Sequence, residues 1–573
     1  MFEAGLGILA MLIQLAVVVG IIVLIVRLIS KRGAAPSENT GVSIRRFFQY
    51  TIMLVMLVLA GIGLTGLIDA ALSGASSATQ DTAAVALSIA FVVVGLPVFA
   101  GLALFTRRRL DTDPAEQRSL GWAFYLTAAL IGSLVTTMSV TTAFLGEWLA
   151  DGDLDRALLI SALLWGGVWA GHWWIAQRAA DPDRMQIHLL LGSAAGLVAV
   201  LVGAGVGIGA ALGEIYDGLF SVAVIDTGVD ALVRAAIILI VGAPVWWWYW
   251  YRHARTLTRT PLWFAYVLLF GILGGVVTLL TGAGIMLFGL LQWLIGDPGS
   301  TSAAVHFGFV PGAAAAIAIG ALAWWYHRSV LGDQRERTRT EVGRIYDYLL
   351  SGAGLAVAAG GLATLFAVAL DAVGGTEIAS STAGDAAATA ITLLAVGLPL
   401  WWRFWSIIRS ARRADPEAEV RSVTRRVYLF LLFGVTGVVA VVSLMITVFI
   451  FFEDLLEGTL GAATISSLAV PVSLLLTAGA VAWYHFTVFH EDRSVTVSEQ
   501  RPVVREIIVV GDADFASTIA SGTTARVQRI GSCDHPKDAD TLDELISALE
   551  VETHEQVVVV AANGHFELLP IAG

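Results

Sequence analysis

The runs of apolar residues in this chain are too long and too numerous to be buried inside a water-soluble protein. Residues 47–71 and 188–215, for example, contain no Lys or Arg. About 20 such residues in a helix span the core of a bilayer. The composition agrees, because 57% of the residues are hydrophobic and only 14% are charged, against about a quarter in soluble proteins. The sequence therefore predicts an all-α polytopic transmembrane bundle.

Thirteen of these runs predict transmembrane helices. They lie at residues 5–29, 47–71, 84–106, 120–146, 157–177, 188–215, 230–251, 262–294, 303–326, 346–372, 386–408, 427–452 and 464–487. The first run opens with MFEAGLGILAM, which has neither a basic start nor a small-residue cleavage site. We therefore interpret it as a retained helix and not as a signal peptide.

Arg and Lys are concentrated in alternate connections between the predicted helices. The segments SGASSATQD, GDPGSTS, GGTEIASSTAGD and EDLLEGTLG contain neither residue. The other connections are basic, with Arg27, Lys31, Arg32, Arg45, Arg46, Arg107, Arg108, Arg109, Arg252, Arg255, Arg259, Arg335, Arg337, Arg339, Arg412, Arg413, Arg425 and Arg426. Because positive residues favour the cytoplasmic side, we expect a protein of the cytoplasmic membrane with its N-terminus outside and its C-terminus in the cytoplasm.

Two short motifs recur along the twelve helices that follow the first. One motif is VGLPVF at 94–99, VGAPVWW at 241–247 and VGLPLWW at 396–402. The other is WAGHW at 169–173, WWYHR at 324–328 and AWYHF at 482–486. The glycines of the first motif are 147 and 155 residues apart, and the histidines of the second are 155 and 158 residues apart. Such internal similarity predicts tandem repeats of four helices each.

The motifs divide the chain into five predicted domains. These are an N-terminal transmembrane helix with a basic linker (1–42), repeat 1 (43–187), repeat 2 (188–340), repeat 3 (341–493) and a small cytoplasmic α/β domain (494–573). Because each repeat has an even number of helices, all three are expected to share one orientation. They should then be related by a pseudo-axis along the membrane normal.

The Arg-Tyr helix starts and Trp-Tyr-His helix ends resemble a bacterial family of domains of unknown function, built from tandem four-transmembrane-helix repeats. The resemblance covers about residues 43–493. WWYHR and AWYHF match best, whereas WAGHW departs because it lacks the tyrosine. The resemblance implies an architecture and no activity.

Fifteen of the eighteen tryptophans lie toward the predicted cytoplasmic side; Trp148 and Trp293 lie outside, and Trp165 is ambiguous. Tryptophans normally mark both faces of a membrane. The favoured interpretation is an aromatic belt that anchors helix ends. The alternative is a site that holds a lipid or an apolar or cationic ligand, with the candidate residues Trp246, Trp247, Trp324, Trp325, Trp401, Trp402, Trp483 and Arg403.

Three histidines occupy equivalent repeat positions, and three imidazoles can form an open zinc site. His172, His327 and His485 are therefore metal candidates, although hydrogen bonding to helix ends or headgroups is the favoured interpretation. Five helices contain a proline that acts as a hinge or a static bend, namely Pro97, Pro244, Pro311, Pro399 and Pro471. The sequence predicts no catalytic residue and no cofactor.

The centres of the predicted spans are nearly free of charge, whereas ion-coupled transporters place ionisable residues there. The richest polar patch is TTMSVTT at 136–142, whose hydroxyls we expect to bond back to their own helix or to join neighbouring helices. This pattern argues against ion coupling and against a hydrolytic membrane enzyme.

The tail after residue 493 has thirteen acidic residues against five basic ones, which argues against a nucleic-acid partner. REIIVVGD, ARVQRIG and EQVVVVAANGHFELLPI predict strands, the last being a pair that turns at Asn563-Gly564. DFASTIASG and DTLDELISALE predict helices. We expect a βαβαββ domain with a docking or regulatory role.

These features favour a non-enzymatic membrane scaffold or sensor, with the lipid bilayer and a protein at the cytoplasmic domain as its partners. Two alternatives stay open. The kinked helices and the aromatic helix ends suit a transporter or carrier for an apolar or cationic amphiphile. The triplicate histidine suits a metal- or haem-binding membrane oxidoreductase.

Overall fold

A computed structural model describes most of the chain. The described residues are 40–72, 82–152, 154–179, 181–220, 228–300, 302–332, 340–374, 380–493, 506–510, 517, 519, 526–529, 544–545, 547–549, 556–562 and 565–570. The predicted first span and the predicted turn at Asn563-Gly564 lie outside these residues. The chain divides into two compact units, one formed by residues 1–404 and 442–477 and the other by residues 405–441 and 478–573.

Twelve helices of the described part are long and apolar enough to cross a membrane, and they coincide with the second to thirteenth predicted spans. The helices are α1 (Thr40–Leu72), α2 (Thr82–Thr112), α3 (Pro114–Gln117), α4 (Leu120–Asp151), α5 (Arg156–Ala179), α6 (Pro182–Phe220), α7 (Gly228–Trp246), α8 (Pro261–Ala265), α9 (Gly274–Ile295), α10 (Ala303–His306), α11 (Val310–Leu331), α12 (Glu341–Gly374), α13 (Ser380–Ala414), α14 (Pro416–Arg421), α15 (Val423–Glu457) and α16 (Ala462–Arg493). The architecture fits a multi-pass membrane protein.

Repeat 2 contains two π-helical segments that the sequence analysis did not predict. Trp247–His253 continues α7 and ends in the 3-10 turn Ala254–Thr256, while Tyr266–Leu273 joins α8 to α9. In a π-helix each N–H binds the carbonyl five residues back, and such segments are frequent at functional sites. Apolar periodicity distinguishes a helix from a strand, but it does not reveal a local change of winding.

The third helix of every repeat begins with the same hydroxyl cap. The side chains of Ser119, Thr260 and Ser422 accept a hydrogen bond from the backbone N–H three residues later, at 3.2, 3.3 and 3.4 Å. A capping oxygen satisfies one of the N–H groups that the first turn leaves without a helical partner. The equivalent helices therefore start at equivalent residues.

The glycine of the VGxP motif brings the first two helices of each repeat close together. A Cβ on Gly95 would lie 3.0 Å from the backbone N of Ala60 in α1, and one on Gly397 would lie 2.4 Å from the backbone N of Ala358 in α12. Only a residue without a side chain allows this approach. The motif thus marks a helix contact, as small residues commonly do in membranes.

The tail contains a four-stranded sheet with the order β2-β1-β3-β4. Its strands are β1 (Glu506–Val510), β2 (Arg526–Arg529), β3 (Gln556–Ala562) and β4 (His565–Pro570). β1 pairs in parallel with β2 and β3, and β3 pairs antiparallel with β4. Buried Ile507, Val509, Val557 and Val559 pack with Ile519 and with further apolar residues, Leu545 and Leu549. The strands lie where the apolar runs predicted them.

Candidate functional site

Each of the three repeated histidines is bonded to its own helix. Nδ1 of His172, His327 and His485 lies 2.8–2.9 Å from the backbone carbonyl four residues earlier, and all three rings are buried. A carbonyl can only accept, so Nδ1 carries the hydrogen. The neutral ring then presents Nε2 as an acceptor.

The surroundings of Nε2 differ between the repeats. In repeat 1 the hydroxyl of Tyr125 lies 2.8 Å from Nε2 of His172. In repeat 2 the ring of His327 lies among Trp250, Tyr266 and Tyr326, at centroid distances of 6.0, 5.9 and 5.0 Å. The clusters are therefore mainly aromatic, and among the described residues only the histidine of the first repeat has a hydrogen bond at Nε2.

Repeat 3 repeats the aromatic surroundings of repeat 2. The ring of His485 lies 5.4 Å from Trp405, 6.1 Å from Tyr428 and 5.1 Å from Tyr484. Trp250 donates Nε1–H to the hydroxyl of Tyr326 in repeat 2, and Trp405 donates Nε1–H to the hydroxyl of Tyr484 in repeat 3. Each tyrosine directly precedes the histidine of its repeat. These contacts join three helices of one repeat.

The three histidines do not form a shared metal site within the described part of the chain. There, no group of three His, Cys, Asp or Glu side chains could hold a metal ion. Each histidine instead has one ring nitrogen bonded to its own helix and aromatic rings around it.

The stretch VGAPVWWWYWYRHAR is partly buried and partly exposed. The π-helical winding directs Tyr249 and Trp250 into the protein, where both are almost completely buried. A Cβ on Gly192 would lie 2.2 Å from the Tyr249 ring, so this glycine makes room for it. Trp247 and Tyr251 remain more than half exposed. The stretch therefore combines packing with an outward-facing aromatic surface.

The candidate tryptophans fall into two classes, those that pack within the protein and those that are exposed. Trp246 packs against the ring of Tyr326 at 5.7 Å, and Trp324 donates Nε1–H to the hydroxyl of Tyr346 at 3.3 Å. A Cβ on Gly354 would meet the backbone of Trp401 at 2.4 Å. The other class, which is exposed together with Arg403, consists of Trp247, Trp325, Trp402 and Trp483.

A groove of about 440 Å³ lies between repeats 1 and 2. The wall from α4 carries Thr137 and Thr141, and the wall from the second helix of repeat 2 carries Pro244 and Trp248. Since proline has no N–H, it cannot bond to the carbonyl of Ile240 one turn earlier, and this residue also lines the groove. The groove is thus apolar with a few polar atoms, which is typical of ligand sites.

The hydroxyls of the polar run bond mainly to their own helix. Thr136, Thr137 and Thr142 donate to the carbonyl four residues earlier at 2.7–2.8 Å. This is one of the two roles expected from the sequence, and it agrees with the usual behaviour of threonine in an apolar helix.

The candidate prolines occupy different positions in their helices. Four of them lie inside a helix, namely Pro97, Pro244, Pro399 and Pro471. Pro311 is instead in the first turn of α11, directly after the 3-10 turn Phe307–Phe309. A bend caused by a lost bond is therefore expected at the other four.

A buried ion-pair network lies at the basic end of repeat 1, between the short helix α3 and helix α1. One carboxylate oxygen of Glu116 lies 2.8 Å from Nη2 of Arg45 and 3.0 Å from Nε of Arg46. The other accepts a hydrogen bond of 2.7 Å from the hydroxyl of Tyr50. We call these four residues the Glu116 cluster. The cluster fastens the short helix α3 to α1.

Burial raises the pKa of Glu116, but the hydrogen bonds from Tyr50, Arg45 and Arg46 outweigh it, so its pKa lies below the ordinary value. The carboxylate is therefore charged at neutral pH. Its role is structural, because its oxygens are occupied by these donors.

The Glu116 cluster was not predicted from the sequence, although the sequence contains a signal for it. The segments DPAEQRS at 113–119 and DPEAEVRS at 415–422 both begin with an Asp-Pro pair and end with the capping serine. In each segment a glutamate lies three residues before that serine. Both glutamates, Glu116 and Glu419, are buried. A recurring acid in a short connection should have been considered as a partner for the arginines of the preceding helix.

A family model described as Domain of unknown function (DUF5671) matches the chain three times, at residues 46–166, 186–310 and 344–480. The chain belongs to this family. One match falls in each predicted four-helix repeat, so the resemblance to a tandem-repeat family of unknown function is confirmed. Neither a curated protein nor a solved structure matches the chain.

Consecutive DUF5671 repeats are joined by indole-to-phenol hydrogen bonds. Trp169 of repeat 1 donates Nε1–H to the hydroxyl of Tyr249 in repeat 2 at 2.7 Å. Trp324, which is three residues before its histidine just as Trp169 is, donates to Tyr346 in repeat 3. The equivalent residue of the third repeat is Ala482. The tryptophan thus occurs where another repeat follows.

Proposed function

We propose that this DUF5671 protein is a non-enzymatic scaffold or sensor of the bacterial cytoplasmic membrane. In this proposal the three repeats act as one coupled body, and a cytoplasmic α/β domain at residues 494–573 is its output. The observation that carries the proposal is the pair of hydrogen bonds from Trp169 and Trp324, which connect each repeat to the next at the basic helix ends. A change in one repeat would reach its neighbour through these contacts.

The coupling can be tested with a spin label on Cys533, the only cysteine of the chain. The full-length protein is placed in nanodiscs of short-chain or long-chain phosphatidylcholine, and the mobility of the label is measured by electron paramagnetic resonance. A sensor predicts a mobility that changes with bilayer thickness, because mismatch tilts and shifts helices.

Two variants decide whether the repeats transmit this change. The double variant Trp169→Phe and Trp324→Phe removes both indole donors and should make the label insensitive to thickness. The control Trp325→Phe changes an exposed tryptophan and should leave the response intact. A label with the same mobility in both bilayers, in the unmodified protein, would refute the sensor.

A second candidate function is a carrier for an apolar or cationic amphiphile, favoured by the groove between repeats 1 and 2. Its aromatic wall and the carbonyl released by Pro244 suit a cation with apolar substituents. Tetraphenylphosphonium is a suitable probe. Val245→Trp should fill the groove and abolish binding, whereas Val98→Trp, at the equivalent site of repeat 1, should not. Equal binding by both variants would exclude this groove as the site.

A further inference from the structure

The outer face of the third helix is buried in repeats 1 and 2 and open in repeat 3. The equivalent residues Thr127, Leu268 and Phe430 are 5%, 2% and 81% exposed. In repeat 1 the third helix, α4, packs against α6 and α7 of repeat 2. In repeat 2 the π-helical part of the third helix, Tyr266–Leu273, contacts α12 of repeat 3. Repeat 3 is followed by the tail and not by another repeat. Its corresponding face therefore needs a different partner.

This open face contains a groove of about 740 Å³ between α15 and α16. Phe430 and Phe433 line it from α15, and Phe486 and Phe489 line it from α16. The rings of Phe433 and Phe489 meet edge to face at 5.9 Å, so they close the floor between the helices. The groove is thus an aromatic surface cleft, and the adjacent helices α15 and α16 form its two walls.

The basic end of the groove carries an excess of positive charge. Arg425 is paired with Asp492 through two contacts of 2.6 and 2.9 Å. Arg412 lies 2.8 Å from Asp492 and 3.0 Å from Glu491, so these two acids balance Arg412 and Arg425. Arg426 and Arg493 line the same groove and are exposed. The guanidinium of Arg493 lies 5.2 Å above the ring of Phe489, and Arg426 donates to the backbone carbonyl of Arg421 at 2.9 Å. Within the described part of the chain, neither Arg426 nor Arg493 forms an ion pair.

We propose that this groove binds one anionic phospholipid. The phosphate lies between Arg426 and Arg493, and an acyl chain lies along the four phenylalanines. Charge complementarity selects this occupant. A second copy of the chain would bring the same arginines together across a two-fold interface. The N-terminal span of residues 5–29 is followed by Lys31 and Arg32, which would add further positive charge.

The first test measures which lipids stay bound. The full-length protein is reconstituted in nanodiscs of phosphatidylcholine with phosphatidylglycerol, released into mild detergent and weighed by native mass spectrometry. The double variant Arg426→Gln and Arg493→Gln should retain about fivefold less phosphatidylglycerol for each arginine removed. The matched control Arg107→Gln with Arg108→Gln removes two exposed arginines of the basic end of repeat 1 and should retain it normally. Equal losses in the two double variants, or no loss in the first, would overturn the proposal.

The second test identifies the occupant directly and does not depend on the stability of a charge variant. A benzophenone amino acid replaces Phe430, and the full-length protein is irradiated in native membranes. An adduct with the mass of an anionic phospholipid supports the site. A cross-link to a second copy, to residues 1–39 or to another protein overturns it.

Discussion

Replacing Glu116 with Gln should destabilise repeat 1, because it keeps the shape of the side chain and removes the charge. The side chain of Arg46 is 5% exposed and would lose its 3.0 Å ion pair with Glu116, while its contact with Asp113 is longer at 3.7 Å. Breaking a buried ion pair costs about 3–5 kcal/mol. The side chain of Arg45 is 32% exposed, so the loss of its ion pair with Glu116 adds less than about 1 kcal/mol. We expect a loss of about 4 kcal/mol.

The assay is thermal unfolding of the purified protein in detergent, followed by size-exclusion chromatography. For a folding unit of about 150 residues, 1 kcal/mol corresponds to roughly 2–4 °C, so the midpoint should fall by about 10 °C. Asp113→Asn is the matched control, because asparagine still caps α3 and only the 3.7 Å contact is lost. Its midpoint should change by less than about 2 °C. Equal midpoints for the two variants would refute the reasoning.

The same variant has an expected dependence on pH. Since the pKa of Glu116 lies below its ordinary value of 4.5, the folded protein takes up this proton less readily than the unfolded chain. The stabilisation is therefore complete above about pH 5 and is lost as the pH falls through the lowered pKa. The gap between the midpoints of the unmodified protein and Glu116→Gln should shrink on acidification, and a constant gap would contradict the assignment.

Two further substitutions test the packing of repeat 2 by the same thermal assay. Gly271→Ala would place a methyl carbon 2.2 Å from the ring of His327 and should lower the free energy of unfolding by about 1–3 kcal/mol. In the control Gly274→Ala, the nearest atom to the new methyl carbon is 3.7 Å away, so this variant should be tolerated. Trp250→Phe leaves the hydroxyl of Tyr326 without its indole donor and should cost about 1 kcal/mol; an unchanged midpoint would show that this bond contributes nothing.

The helices were predictable from the sequence because burial in lipid requires long apolar runs. The run at 120–146 lies within α4, and that at 427–452 lies within α15. The repeat was predictable because the VGxP and Trp-Tyr-His motifs recur at nearly constant spacing. The strands of the tail were predictable for a similar reason, since EIIVV and QVVVVAA are apolar runs of strand length.

The contacts of the candidate site were less accessible. Adjacent tryptophans such as Trp246 and Trp247 look alike in sequence, yet one packs inside and the other faces outward, because helix winding separates them. The partnership of Glu116 with Arg46 joins residues 70 positions apart, and no periodic pattern reports it. The open face of repeat 3 also required three-dimensional comparison, since Phe430 follows the same apolar pattern as its buried counterpart Leu268.

From the alternation of basic and base-free connections we predict that all three repeats share one orientation, with their basic ends on the side of the C-terminal tail. The most direct measurement is labelling of intact cells with a membrane-impermeant maleimide. Cys533 reports on the tail, while Ser76→Cys and Ser410→Cys, each combined with Cys533→Ser, report on a base-free connection and on the basic end of α13. We predict external labelling at position 76 alone, with positions 410 and 533 reacting only after permeabilisation. External labelling at position 410 or 533 would contradict the account.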